Sequence, residues 1–146
     1  MKSRTLLFLS VLCLTASSTL TAHASACGNW TIQGTYAATV HGHIFLPDGS
    51  TILIDGIART TYDGRGNLTQ IDAVADNGNV TPGWRAETGT YTVNPDCTGT
   101  QTLVVPGQFD LHLQFIVAQS GNKIHAMVID PGVATTAEAE RIYKAQ

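Results

Sequence analysis

Charged residues are scarce in this chain: only 13% of its 146 residues are Asp, Glu, Lys or Arg, about half the share usual in soluble domains. Long amphipathic helices need Ala, Leu, Glu and Lys at regular spacing, so the shortage argues against a helical architecture. Eight basic residues stand against eleven acidic ones and form no cluster. The electrostatic footprint for nucleic acid or anionic lipid is missing, and both are excluded as partners. No Gly-x-Ser-x-Gly elbow offers a nucleophilic serine. The Gly-rich run Asp63-Gly64-Arg65-Gly66-Asn67 lacks the Lys, the hydroxyl residue and the helix of a phosphate loop. Beyond the N-terminal segment, no apolar run is long enough for a membrane helix.

What is present begins with a leader. Lys2 and Arg4 precede the apolar run Leu6 to Leu14, and Ala22-His23-Ala24 or Ala24-Ser25-Ala26 offers small residues for cleavage. This is the pattern of a signal peptide over residues 1–26, with an apolar stretch too short to span a bilayer. One domain over residues 27–146 follows, expected to be exported to the periplasm or the medium without membrane insertion. Losing Lys2 and Arg4 leaves six basic residues against eleven acidic ones, a formal charge of -5. Cys13 leaves as well, so Cys27 and Cys97 remain as an even pair in an oxidising compartment, expected to bond. The rival reading makes Cys27 the acylated first residue of a lipoprotein, but the large aliphatic residue usual three places earlier is absent.

The rest of the chain keeps one rhythm. Residues 35–44, 52–62, 68–75, 84–93, 98–105, 109–117 and 123–129 read as short strands, β-branched and mostly alternating, separated by turns such as Pro47-Asp48-Gly49-Ser50 and Asn94-Pro95-Asp96-Cys97. Residues 134–144 allow two readings. Thr135 and Glu138 make a capping box for a short helix; the alternative is an eighth strand. Connections this brief imply an antiparallel up-and-down meander, and an open meander leaves two exposed edges. The expected fold is therefore all-β, a single meander of about eight strands closing into a small barrel. An open two-layer sandwich capped by a helix is the alternative.

Gly34-Thr35-Tyr36 soon after Cys27, Asp63 to Asn67, Gly89-Thr90-Tyr91-Thr92-Val93 leading into Asp96-Cys97-Thr98-Gly99, and Asp130-Pro131-Gly132 resemble a group of small exported bacterial proteins. Their fold is similar to lipocalins and to the barrel of allene oxide cyclase. The resemblance spans nearly all the mature chain and implies the barrel and the disulfide. It brings no catalytic residues with it.

Two places invite a functional reading. His41 and His43 lie two apart on one strand face, and His112 and His125 fall on the sixth and seventh strands. Alternation puts His41, His43 and His112 outside the barrel, and the first and sixth strands stand about 14 Å apart. No shared metal site is expected. On the fourth strand Tyr91 and Val93 should point inward, carrying Glu87 and Arg85 to the same face. On the second strand the periodicity is mixed; if Arg59 shares an inward face with Ile57, it stands about 10 Å from Glu87 at the backbone, although a charge at a barrel mouth can simply be solvated. Tyr36, Arg59, Glu87, Tyr91 and Phe115 are thus the candidate ligand-binding residues. The leading functional reading is a non-catalytic binder of a small apolar molecule, with no cofactor. The alternatives are an isomerase or cyclase using Glu87 as general acid or base, and an envelope protein whose barrel is filled. Neither ligand identity nor oligomeric state follows from the sequence.

Overall fold

In the segment after Gly132, Thr135, Ala137 and Ala139 alternate with Thr136, Glu138 and Glu140, a period of two that suits a strand with one buried face. The computed structural model describes residues 26–144, so the segment read as a signal peptide lies, except for Ala26, outside the described residues. Nine strands follow in chain order: β1 (Gly34–Phe45), β2 (Thr51–Tyr62), β3 (Asn67–Asp76), β4 (Asn79–Val80), β5 (Arg85–Val93), β6 (Thr98–Val104), β7 (Leu111–Ala118), β8 (Lys123–Val128) and β9 (Val133–Tyr143). All pairings are antiparallel, and β9 returns to β1 from Thr35 opposite Tyr143 to Ile44 opposite Val133. Eight strands close on themselves, with β2 joined to both β1 and β3. The capping-box helix and the sandwich that depended on it are therefore not formed. A helix would have left β1 and β8 as bare edges, whereas closure pairs both. The two-residue β4, folded back onto the end of β3, was not legible in the sequence.

One end of the barrel is packed shut. Tyr36, Tyr62, Leu68, Tyr91, Val93, Phe115, Val117 and Ile124 point inward there and are buried. The three tyrosines stack edge to face, Tyr36 on Tyr62 at 5.5 Å and Tyr62 on Tyr91 at 4.9 Å between ring centres, the arrangement aromatic quadrupoles prefer. Room for the Phe115 ring comes from Gly99 opposite it, where a Cβ would stand 2.2 Å from the ring.

The N-terminal segment seals this floor. A short 3-10 turn (Asn29–Ile32) inserts the fully buried Ile32 into the core. Asn29 accepts from Val93 N–H through Oδ1 at 2.7 Å, and the Tyr91 hydroxyl donates to its carbonyl. Arg141 fastens the seal from β9, donating to the carbonyls of Thr31 at 2.7 Å, Gln33 at 3.1 Å and Gly121 at 2.6 Å, and to the Tyr36 hydroxyl at 2.7 Å. Cys27 is bonded to Cys97 in the β5–β6 turn, 70 positions away. At the same end Asp63 accepts the backbone N–H groups of Arg65, Gly66 and Asn67, fixing the β2–β3 hairpin.

Replacing Cys27 and Cys97 by alanine is expected to lower the unfolding free energy by about 4 kcal/mol, the loop-closure contribution for a separation of this size. Guanidinium denaturation of the two proteins at neutral pH checks this. A loss below about 1 kcal/mol would show that the packed floor, not the covalent bond, holds the N-terminal segment.

Candidate functional site

An eight-stranded barrel is just wide enough for ordinary side chains to fill it, so the size of the inward residues decides whether space is left. Directly above the floor the inward positions shrink to Ala38 on β1, Ala58 on β2, Ala126 on β8, and Ala137 and Ala139 on β9, before Val40, Ile44, Ile54 and Val133 return toward the far end. A cavity of about 550 Å³ results. Leu111, Leu113 and Val128 add to its apolar side, and Trp84 and Phe109, both largely exposed, stand at its mouth. The mouth is framed by the β3–β5 link and the β6–β7 loop, whose Pro82, Gly83, Pro106 and Gln108 also line the space.

The opposite wall is polar, and strand register builds it. Thr60 lies opposite Gln70, Gln70 opposite Glu87, and Asp72 opposite Arg85. Thr60 donates to Gln70 Oε1 at 2.6 Å, and Gln70 Nε2 donates to Glu87 Oε2 at 2.6 Å. Arg85 grips Asp72 with two bonds, Nε to Oδ1 at 3.1 Å and Nη2 to Oδ2 at 2.7 Å, the fork geometry that makes such pairs strong. Below them the Tyr62 hydroxyl donates to Gln101 Oε1 at 2.9 Å, linking β2 to β6.

Glu87 is the anomaly of this wall. Its side chain has no exposed surface, and its Oε1 lies 3.0 Å from Arg85 Nε. Yet the single Nε–H is directed at Asp72, and Oε1 accepts no hydrogen bond. Burial, reinforced by the neighbouring Asp72 charge, pushes the Glu87 carboxyl up to about 7, against the opposing pull of Arg85. Asp72 is also buried, while the Arg85 side chain keeps 34% of its surface exposed.

Of the five candidate ligand-binding residues, the structure puts Glu87 alone in the cavity wall. Tyr36, Tyr91 and Phe115 point inward as expected but belong to the packed floor below the cavity. Arg59 is corrected. It faces outward and is exposed, beside Ile57 in a shallow outer groove shared with Glu138 and Glu140. The reason is the phase of β2, which turns Ile54, Ala58, Thr60 and Tyr62 inward and leaves the apolar Leu53 and Ile57 on the surface. Arg85, expected inward, is there. Asp72 and Gln70 were missed, because β3 carries apolar residues on both faces and only the pairing with β5 reveals which side they take.

The histidines among the described residues, His41, His43, His112 and His125, lie on the outer surface. His41 Nδ1 sits 2.8 Å from Asp55, His112 Nδ1 sits 2.8 Å from Asp130, and His125 Nδ1 sits 3.6 Å from Glu138. Among the described residues no group of three His, Cys, Asp or Glu is placed to hold a metal ion.

A carboxyl whose folded value lies near 7, against 4.5 ordinarily, keeps a proton in the folded chain that the unfolded chain releases. Stability should therefore fall as pH rises from about 4.5 to 7, by up to about 3 kcal/mol. Asp63, held down to about 2 by its turn hydrogen bonds, acts in a separate window below pH 4. Glu87→Gln should flatten the dependence between pH 5 and 8 and match or exceed the parent's Tm at pH 8. Thermal melts across that range decide it, and an unchanged slope in the variant would clear Glu87 of the effect.

Comparison with known proteins places no name beside this geometry: no family model matches the chain, and neither does any curated protein or solved structure.

Proposed function

We propose that this protein is a non-catalytic carrier of one small, largely apolar molecule, held in the alanine-lined upper half of the barrel. The observation that carries the reading is the division of the interior. A floor packed with tyrosines and bonded across by Cys27–Cys97 stops a ligand from passing through. Above it a cavity of about 550 Å³ lies in the size range of sites for small molecules. A barrel serving only as a structural element gains nothing from leaving that space empty, since filling it would add packing contacts. The bonded cysteine pair and the leader-like N-terminal sequence support a place for the carrier in an oxidising compartment outside the cytoplasm.

A second reading is favoured by Glu87. A carboxyl raised to about 7 beside an apolar cavity has the proton affinity a general acid or base needs near neutrality. Against it, the Glu87 side chain is fully covered, so a substrate reaches it only after the wall around it rearranges. A carrier returns its ligand chemically unchanged, and mass analysis of an incubated ligand tells the two readings apart.

The neutral fluorophore N-phenyl-1-naphthylamine is the probe for the cavity. We expect one molecule bound per chain, with enhanced emission, and binding lost in Ala126→Trp, which fills the space from β8. Circular dichroism reports whether that variant keeps its fold, and Leu113→Trp from β7 serves as a second blocking variant. Absence of probe binding to the parent protein, or binding undiminished in two folded blocking variants, would defeat the carrier reading.

A further inference from the structure

The cavity wall has an imbalance that bears on which molecules it accepts. Three carboxylates, Asp72, Asp76 and Glu87, line it, and Arg85 is the one cationic side chain beside them among the described residues. Arg85 forms a bidentate pair with Asp72 and also lies 3.0 Å from Glu87 Oε1, so one positive charge is shared between two buried carboxyls, while Asp76 at the rim is exposed. Independently, Glu87 Oε1 is buried and receives no donor at all. A buried acceptor left unpaired costs more than a typical hydrogen bond returns. What this wall lacks is a group with several donors, a positive charge and no acceptor.

An ammonium group has those properties, with three N–H donors and no lone pair. We propose, building on the carrier reading, that the cavity takes a cationic amphiphile: a lipophilic amine whose ammonium group lies against the Asp72–Glu87 wall and whose hydrocarbon chain lies among the alanines opposite. The same wall rejects anionic amphiphiles. A carboxylate head in this cavity meets one guanidinium already shared between Asp72 and Glu87, in a wall with more acidic than basic groups. Two exposed aromatic residues at the mouth, Trp84 and Phe109, are of the type that attracts a cation. Arg85 is the side chain that has to give way slightly, and it is more exposed than Asp72 or Glu87.

The test is competition against bound N-phenyl-1-naphthylamine by three ten-carbon chains that differ only in the head: decylamine, decanol and decanoate, at pH 7.5. Decylamine is expected to compete at least about tenfold better than decanol, the worth of one charge-assisted hydrogen bond, and decanoate worst of the three. In Glu87→Gln the advantage of amine over alcohol should shrink to about threefold or less. Arg59→Gln, a charge change on the outer face, should leave all three unaltered. Decanoate competing as well as decylamine, or an amine advantage that survives in a folded Glu87→Gln, overturns the proposal. The series on the parent protein decides the ligand class even if that variant fails to fold. Failure of all three chains while the fluorophore still binds also overturns it and leaves the carrier reading standing. Failure of the fluorophore itself removes both.

Discussion

The pairing of β9 with β1 is the constraint on which everything else depends. Once Thr35 meets Tyr143 and Ile44 meets Val133, each strand has two neighbours, and the chain has a single inside and a single outside. Alternation then assigns every side chain to one or the other. Tyr36, Ala38 and Val40 go in, and Thr39, His41 and His43 go out. A slip of one residue at this seam would send Tyr36 to solvent and bring His41 into a cavity with no partner for it. The seam is held at its lower end by Arg141, which lies on β9 and collects carbonyls from the N-terminal segment and the β7–β8 turn. Closure and the seal on the floor are thus coupled through one side chain.

With inside and outside settled, side-chain volume divides the interior. Tyrosine and phenylalanine fill the lower half as a buried core, helped by Gly99 where the Phe115 ring needs room. Directly above it a belt of alanines takes the corresponding positions, and the walls there stay apart. The backbone does not distinguish the halves. The contrast is one of residue size at equivalent positions on the same strands: Tyr36 and Ala38 on β1, Ala58 and Tyr62 on β2, Ala126 and Ile124 on β8.

Strand placement was legible because turn residues and alternation agree over most of the chain. The fourth barrel strand is the best case: inward Tyr91 and Val93 carried Arg85 and Glu87 to their observed face. Reading failed where apolar residues occupy both faces of one strand. On β2, Ile57 and Leu53 look like core residues but lie outside, so Arg59 was drawn inward with the wrong set. Gly56, Ala58 and Thr60 are small or polar and gave no contrary signal, although their phase with Tyr62 carried the correct answer. Asp72 is harder still. Its role comes from standing opposite Arg85 in the β3–β5 register, a relation between strands that no single stretch of sequence contains. The floor residues Tyr36, Tyr91 and Phe115 were rightly turned inward, but facing inward does not give height along the barrel. Height is set by the length of each strand and by where β1 meets β9.

Asp72, Arg85 and Glu87 are hard to explain as contributors to folding. Removing charges from water in this way is seldom repaid by their mutual attraction, and an apolar replacement of matching volume is often as stable or more so. Thr60 and Gln70 relieve the cost only in part, because the chain of hydrogen bonds ends at Glu87 Oε1 with no donor. A barrel under selection for stability alone would continue the alanine and leucine lining of β7, β8 and β9 across β3 and β5. That this one carries a covered acid with one unsatisfied oxygen in the wall of the cavity is more economically explained by what enters the cavity than by what holds the strands together.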